Sequence, residues 1–165
     1  MNTKPILVLL TATLFLFSCR KPEPAPTPTP HIAPQPVTDS CLLLTPGEIT
    51  AALGVPVDVG RHTLATSDIM CNWPRTGVKG EPELVLNFSS LAAFNREKNA
   101  SGNVKVTPAP GIGDEAFYVT SALGTSLLIR KGNTTIGFSI HDKKMPAVKV
   151  MPAEQTLGQQ AAARL

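Results

Sequence analysis

Aromatic side chains make up only 5% of the 165-residue chain, which holds three cysteines, one tryptophan and one tyrosine. Any core must therefore be mainly aliphatic. The longest apolar run, residues 6–17, is too short for a spanning helix of about 20 residues, which excludes a polytopic membrane protein. The net charge is also small, since the chain has 15 lysines and arginines and 12 aspartates and glutamates. That balance is too even to indicate nucleic-acid binding.

Recognisable catalytic motifs are also missing. The chain has no zinc-protease, serine-elbow or phosphate-loop pattern. His62 and His141 lie outside any such pattern, and His141 and Asp142 are adjacent strand residues that point to opposite faces. We therefore predict that the protein is not an enzyme and needs no metal or cofactor. A histidine-based enzyme, the less favoured alternative, requires His62 or His141 to reach a carboxylate or serine in a pocket.

The first 18 residues have the pattern of a signal peptide. Lys4 precedes the apolar run, and the run ends in Leu16, Phe17 and Ser18, followed by Cys19. This ending resembles a bacterial lipobox, which implies transfer of a diacylglyceryl group to the Cys19 thiol and cleavage before it. Fatty acyl chains such as palmitate would then anchor the protein to a membrane. An ordinary secretory signal with a chance cysteine is the alternative.

Residues 19–39 follow as the lipidated cysteine and a proline-rich linker. Every second residue from Pro22 to Pro30 is proline, which prevents helix or sheet and favours an extended chain. The simplest role is to space a domain of residues 40–165 from the membrane. A ligand for a proline-recognising partner is the alternative.

Cys41 and Cys71 are the two cysteines that remain in this domain. Two cysteines in an exported domain usually pair, because the compartment is oxidising. Closing a 31-residue loop would stabilise the fold by about 3–4 kcal/mol. A metal pair or a redox pair is the alternative, but the spacing fits neither well.

Capping signals and periodicity place the regular elements. Thr45, Pro46 and Glu48 predict a helix start with a capping box, and Gly54 predicts its end. A second helix is expected at about 91–100, capped by Ser89 and Ser90. A last helix is expected from Pro152, where Gly158 weakens it and a frayed tail is the alternative. Alternating or short apolar segments predict strands, with a tight turn at 131–133. These strands cover 57–59, 69–73, 84–88, 115–120, 126–130 and 134–141.

This order predicts an α+β fold. Hairpin-linked strands favour an antiparallel sheet, with helices packed on one face. Trp73 lies two residues after Cys71, on the same strand face, and could pack near a disulfide. Gly111 and Gly113 are expected to allow positive φ or close backbone approach, and Asp114 to cap their turn.

Several segments together resemble the bacterial lipoproteins grouped as a domain of unknown function, number 3558, best known from actinobacteria. The resemblance spans roughly residues 40–145 and rests on four segments in order, 41–49, 52–54, 71–73 and 110–118. It implies a secreted, lipid-anchored α+β domain with a Cys41–Cys71 bridge. It implies no activity.

The expected role is therefore a lipid-anchored lipoprotein of the bacterial cell envelope that binds a protein or a small hydrophobic ligand. The outer membrane is expected in a cell with two membranes, and otherwise the outer face of the cytoplasmic membrane. Candidate binding residues are Trp73, Asp114 and Glu115, although neighbouring carboxylates are more often solvated or capping. A structural or inhibitory module that docks flat on another envelope protein is the alternative.

Overall fold

The computed structural model describes residues 37–79, 83–141, 145 and 147–165. The signal peptide (1–18), Cys19 and linker residues 20–36 lie outside this part of the chain, and so does Asp142. Predictions about them stay predictions.

Within the described residues, seven antiparallel strands form one sheet. In chain order they are β1 (Arg61–Leu64), β2 (Ser67–Trp73), β3 (Leu84–Ser89), β4 (Lys105–Pro108), β5 (Glu115–Ser121), β6 (Gly124–Lys131) and β7 (Thr134–Ile140). Their order across the sheet is β1-β2-β3-β7-β6-β5-β4, so β1 and β4 are its two edges. The helices are α1 (Pro46–Leu53), α2 (Leu91–Lys98) and α3 (Ala147–Arg164), and a short 3₁₀ turn covers Ser40–Leu42.

Strand alternation divides the apolar side chains between the two faces of the sheet. On one face, α1 and α3 cover a large core to which the central strands contribute Leu86, Leu127 and Phe138. On the other face, Phe94 of α2 forms a smaller cluster with Phe117 and Leu128. The rings of Phe94 and Phe117 lie 4.8 Å apart between centroids. The predicted α+β class is confirmed; the expectation of helices on one face holds for α1 and α3, whereas α2 packs on the opposite face.

The predicted helix signals work locally as expected. The Thr45 hydroxyl accepts a hydrogen bond from the backbone N–H of Glu48, and the Glu48 carboxylate accepts one from the backbone N–H of Thr45. Gly54 ends α1 with φ +72°, a left-handed conformation that costs glycine little. Ser90 caps α2 through the N–H of Ala93. These helix ends therefore follow from local side-chain chemistry.

Three segments differ from the sequence-based expectation. The predicted strand at 57–59 is only an isolated pairing of Val57 with Arg75, while β1 and β4 are strands that periodicity does not reveal. The last helix begins five residues before Pro152, which lies inside it. A proline removes one helical hydrogen bond, and burial of Leu157 and Ala161 against the sheet holds the helix despite this loss.

An ion pair joins the C-terminal end of α3 to the first turn of α1. Arg164 donates from Nη2 to Glu48 Oε1 at 2.6 Å and from Nη1 to Glu48 Oε2 at 3.0 Å, and Nη1 also donates to the Leu43 carbonyl at 2.6 Å. The Arg164 hydrogen bond is the largest of the causes that together lower the pKa of Glu48 to about 2. These contacts hold the C-terminal end of α3 in place, so the helix does not fray there.

Replacing Arg164 with alanine should destabilise the protein by about 1 kcal/mol at pH 7, a modest value because the pair is partly screened by solvent. Because the folded pKa of Glu48 is depressed, this contribution exists above the ordinary value of 4.5 and disappears as the pH falls towards 2. Urea unfolding at pH 7 and pH 3 should show the difference shrinking. Arg96→Ala, at an exposed and loosely paired arginine, is the control; an equal loss in both variants would contradict the assignment.

Candidate functional site

The disulfide joins the 3₁₀ turn to β2. Cys41 and Cys71 are bonded, with Cα atoms 5.1 Å apart, which confirms the predicted bridge. Gly60 lies directly over it, because a Cβ on Gly60 would come within 2.7 Å of both Cys71 Sγ and Trp73 Nε1. Disulfide, indole and glycine therefore form one tightly packed unit.

Trp73 belongs to that unit and not to a binding surface. Its side chain is fully buried, and its indole N–H has no hydrogen-bond partner in the described part of the chain. The predicted packing near the disulfide is confirmed. The sequence analysis named Trp73 as a candidate binding residue. Because the ring is fully buried, a ligand cannot contact it without opening the core.

Asp114 and Glu115 are engaged in structural contacts. Asp114 Oδ2 accepts a hydrogen bond of 2.7 Å from the backbone N–H of Gly132, in the β6–β7 turn. Glu115 pairs with Lys98 of α2 and, at 3.4 Å, with Arg130 of β6. The Lys98 ammonium is the main reason that the pKa of Glu115 lies below its ordinary value. Asp114 thus caps a neighbouring turn, and Glu115 links α2 to the sheet, so neither is poised for acid–base chemistry.

The glycine pair before Asp114 has the predicted conformation. Gly111 has φ +82° and Gly113 has φ +58°. A Cβ on Gly113 would lie 2.6 Å from the carbonyl oxygen of Arg130, so the chain approaches β6 too closely for any side chain. The two glycines therefore allow the chain to return to the sheet at the start of β5.

His62 lies in a cluster of polar groups beside the disulfide. Its Nε2 is 2.8 Å from Asp39 Oδ1 and 3.9 Å from Asp68 Oδ1. Burial alone would raise the pKa of Asp39, but hydrogen bonds from His62 and from the backbone N–H of Cys41 lower it below its ordinary value. Ligand atoms of Asp39, Cys41 and His62 all lie within 4.8 Å of one another. Sequence analysis missed this cluster, because Asp39 and His62 are 23 residues apart.

An open cleft lies beside the β1–β2 pair. It holds about 550 Å³ and is lined by the charged and polar residues Asp58, Arg61, Asn72 and Lys79 together with Pro74, Gly77 and Val78. Asp58 accepts a hydrogen bond from Thr76 at 2.8 Å, whereas Arg61 and Lys79 form no ion pair with any other residue that the structure describes. The cleft therefore carries two positive charges and one negative charge, and none of the three is in an ion pair within the described residues. His62 is not among the residues that line it.

Exposed apolar side chains concentrate around the same hairpin. Of the nine large apolar residues that the described segments expose, five lie on β1 and β2 or in the loops next to them. We name them the hairpin patch: Val59, Leu64, Ile69, Met70 and Val78. Leu64 is 64% exposed and Ile69 57% exposed, although both occupy strands. Leu64 and Ile69 lie on either side of the turn at 65–66 in the sequence, but a sequence does not show which face stays uncovered.

The two edges of the sheet differ in how they are protected. At β4, exposed Lys105 and Pro108 discourage pairing with another strand, because lysine is charged and proline lacks an N–H. At β1, the edge contains no proline, although Arg61 is exposed and the pairing with β2 is irregular between His62 and Leu64. The β1 edge is therefore less protected than the β4 edge by the absence of proline alone.

None of the helices in the described residues is both long and apolar enough to cross a membrane. Comparison with protein-family models, with curated proteins and with solved structures gives no match to this chain. The resemblance to the lipoproteins of domain 3558 therefore stays a prediction. The function proposed below rests on the geometry of the site.

Proposed function

We propose that this protein is a non-enzymatic binding module that docks onto another envelope protein through its β1–β2 hairpin. The observation that carries the proposal is the concentration of exposed apolar residues on the β1–β2 hairpin, which lies at one edge of the sheet. Large apolar side chains that stay exposed together on one hairpin are typical of interaction sites. An exposed edge strand also offers unpaired backbone groups to an incoming strand.

The chemistry of the surface indicates the chemistry of the partner. The hairpin patch suits an extended segment with alternating apolar side chains, which would extend the sheet beyond β1. Arg61 and Lys79, in the adjacent cleft, suit a carboxylate on the same segment. The cleft is open and is therefore less suited to a small hydrophobic ligand, which binds best in an enclosed apolar cavity.

The proposed setting is the bacterial cell envelope, with a lipid anchor on Cys19 and residues 20–39 as a spacer. This part of the proposal rests on the signal-like run and the lipobox pattern in the sequence. Intact-mass spectrometry of membrane-extracted protein should show acyl chains on a chain that begins at Cys19. An unmodified Cys19 would contradict the anchor without affecting the hairpin.

Aspartate substitutions test the hairpin. Leu64→Asp and Ile69→Asp should each reduce co-purification of the partner from detergent-solubilised envelopes by about tenfold or more, because a buried contact would receive an uncompensated charge. Both residues are largely exposed, so folding should be preserved. Mass spectrometry of proteins that co-purify with the full chain is the measurement.

Leu123→Asp is the matched control, since Leu123 is 98% exposed at the β5–β6 turn, outside the hairpin patch. It should leave co-purification unchanged. Recovery of the same proteins in equal amounts with all three variants would refute docking through the hairpin.

A further inference from the structure

We infer that opening the Cys41–Cys71 disulfide with a dithiol reductant creates a divalent-metal site, suited to Zn²⁺, from the Cys41 thiolate, the His62 imidazole and the Asp39 carboxylate. The inference is independent of the proposed docking function. It rests on the position of three donor types around one point beside the bridge.

The donors are already gathered in the oxidised protein. Cys41 Sγ, His62 and Asp39 have ligand atoms that lie within 4.8 Å of one another, and all three residues are half-buried. Thiolate, imidazole and carboxylate are the ligands that zinc takes in proteins. In the oxidised state one of the three is blocked, because the Cys41 sulfur is bonded to Cys71 and carries no charge.

The distances approach those of a zinc site, with the Cys41 sulfur within 4.8 Å of the other two ligand atoms. With bonds of about 2.0–2.3 Å, two ligand atoms of a tetrahedral zinc site lie about 3.3 Å apart. His62 Nε2 and Asp39 Oδ1 are 2.8 Å apart, so the ion would replace the shared hydrogen bond and widen the pair by about half an ångström. The backbone N–H of Cys41 donates to Asp39 Oδ1 at 2.8 Å and would hold the carboxylate in place as an outer contact.

A fourth ligand is within reach. Asp68 Oδ1 lies 3.9 Å from His62 Nε2, and the Asp68 side chain is 67% exposed and free to turn. A water molecule is the other choice, as in sites with three protein ligands.

Burial decides which sulfur binds the metal. Cys71 is fully buried and packs with Trp73 beneath Gly60, whereas Cys41 is half-buried on the side of His62. A reductant thiolate therefore attacks Cys41 Sγ, and Cys71 leaves as a thiolate that takes up a proton. The second thiol of the reductant then releases Cys41 and forms its own disulfide. The reductant is oxidised by two electrons, the bridge becomes two thiols, and Cys41 loses its proton to solvent when zinc binds.

Two single substitutions distinguish the effect of a free Cys41 thiolate from the effect of losing the disulfide. Cys71→Ser leaves Cys41 free without any reductant, whereas Cys41→Ser opens the same bridge but removes the ligand. Both are made in the full chain in detergent, with Cys19→Ser throughout, so that a single thiol remains in each. Zinc affinity is measured by competition with a chromophoric chelator, and Co²⁺ substitution reports a bound thiolate by its charge-transfer absorption.

Cys71→Ser should bind one Zn²⁺ per chain and give the thiolate absorption with Co²⁺. Cys41→Ser should bind at least about tenfold more weakly and give no such absorption, and His62→Ala added to Cys71→Ser should weaken binding by a similar factor. Equal zinc affinity in Cys71→Ser and Cys41→Ser would overturn the inference.

Wild-type protein gives a second test that needs no folded variant. Zinc should raise the melting temperature of the chain after reduction by a phosphine, and should not raise that of the oxidised chain. A zinc effect of the same size in both states, or no effect in either, would overturn the site.

Discussion

Glu154→Gln is expected to stabilise the protein by up to roughly 3 kcal/mol at pH 7, less the cost of burying the amide N–H groups of glutamine. Glu154 lies on the sheet-facing side of α3, is fully buried, and neither carboxylate oxygen has a hydrogen-bond partner within the described residues. Burial raises its pKa to about 8, and the nearby backbone N–H of Ile140, which does not reach hydrogen-bonding geometry with the carboxylate, offsets only part of this rise. The folded protein therefore holds a proton that the unfolded chain releases at ordinary pH.

The sign of the pH dependence follows from the raised pKa. Below about pH 4.5 the carboxyl is protonated in both states and costs nothing extra; as the pH rises to about 8, the wild type loses stability. At pH 7 the interval above 4.5 is 2.5 units, and each unit is worth about 1.4 kcal/mol. Glutamine has the shape of the protonated acid but does not titrate, so the variant should show no such decline.

Urea unfolding between pH 4 and pH 8.5, followed by the fluorescence of the single tryptophan Trp73, measures this difference. The curves of wild type and variant should meet near pH 4 and separate as the pH rises. Glu97→Gln, on the surface of α2, is the control and should change stability little. A variant that is less stable than wild type at pH 7, with the same pH slope, would show that the Glu154 carboxylate is not held neutral by burial.

Gly60→Ala is expected to destabilise the protein by about 2–3 kcal/mol. The added methyl group would lie 2.7 Å from Cys71 Sγ and 2.7 Å from Trp73 Nε1. Neither neighbour can yield cheaply, because the sulfur is fixed in the disulfide and the indole is fully buried. The backbone of Gly60 does not have positive φ, so the loss would come from the contact alone.

Gly47→Ala is the matched control for this substitution. Gly47 lies in α1 with nothing within 4 Å of its added Cβ, so alanine should stabilise the helix by about 0.5–1 kcal/mol. Thermal unfolding of the two variants should therefore shift in opposite directions. If Gly60→Ala melts with the wild type, Gly60 does not lie in close contact with the disulfide and the indole.

Local signals in the sequence predict the parts of the fold that local chemistry controls. The Thr45–Glu48 capping box, the cap at Ser90 and the left-handed Gly54 depend on neighbours within a few residues. Alternation places the core side of β7 correctly. The Gly132–Asn133 turn closes its hairpin with positive φ at the glycine only, which is typical of a type II′ turn.

Long-range features were not predictable from one sequence. The edge strands β1 and β4 are short and mostly solvated, so they lack the alternation that marks a half-buried strand. The burial of Glu154 depends on how α3 sits on the sheet, where Gly158 allows close contact with Leu127. The Asp39–His62 pair depends on the disulfide that brings the 3₁₀ turn to β2.

The candidate site shows the same division. The cysteine count predicted the bridge, but the sequence-based binding residues Trp73, Asp114 and Glu115 are explained by packing, capping and ion pairing. The hairpin patch emerges only when the order of the strands is known, because that order makes β1 an edge. The exposed surface, and not a sequence motif, therefore indicates the function.

Photo-crosslinking in living cells tests the docking surface most directly. A photoreactive residue placed at Leu64 in the full-length protein should yield a discrete crosslinked adduct with another envelope protein after irradiation. The same residue at Leu123 should yield none. Adducts of equal intensity from both positions, or none from Leu64, would contradict a docking role for the β1–β2 hairpin.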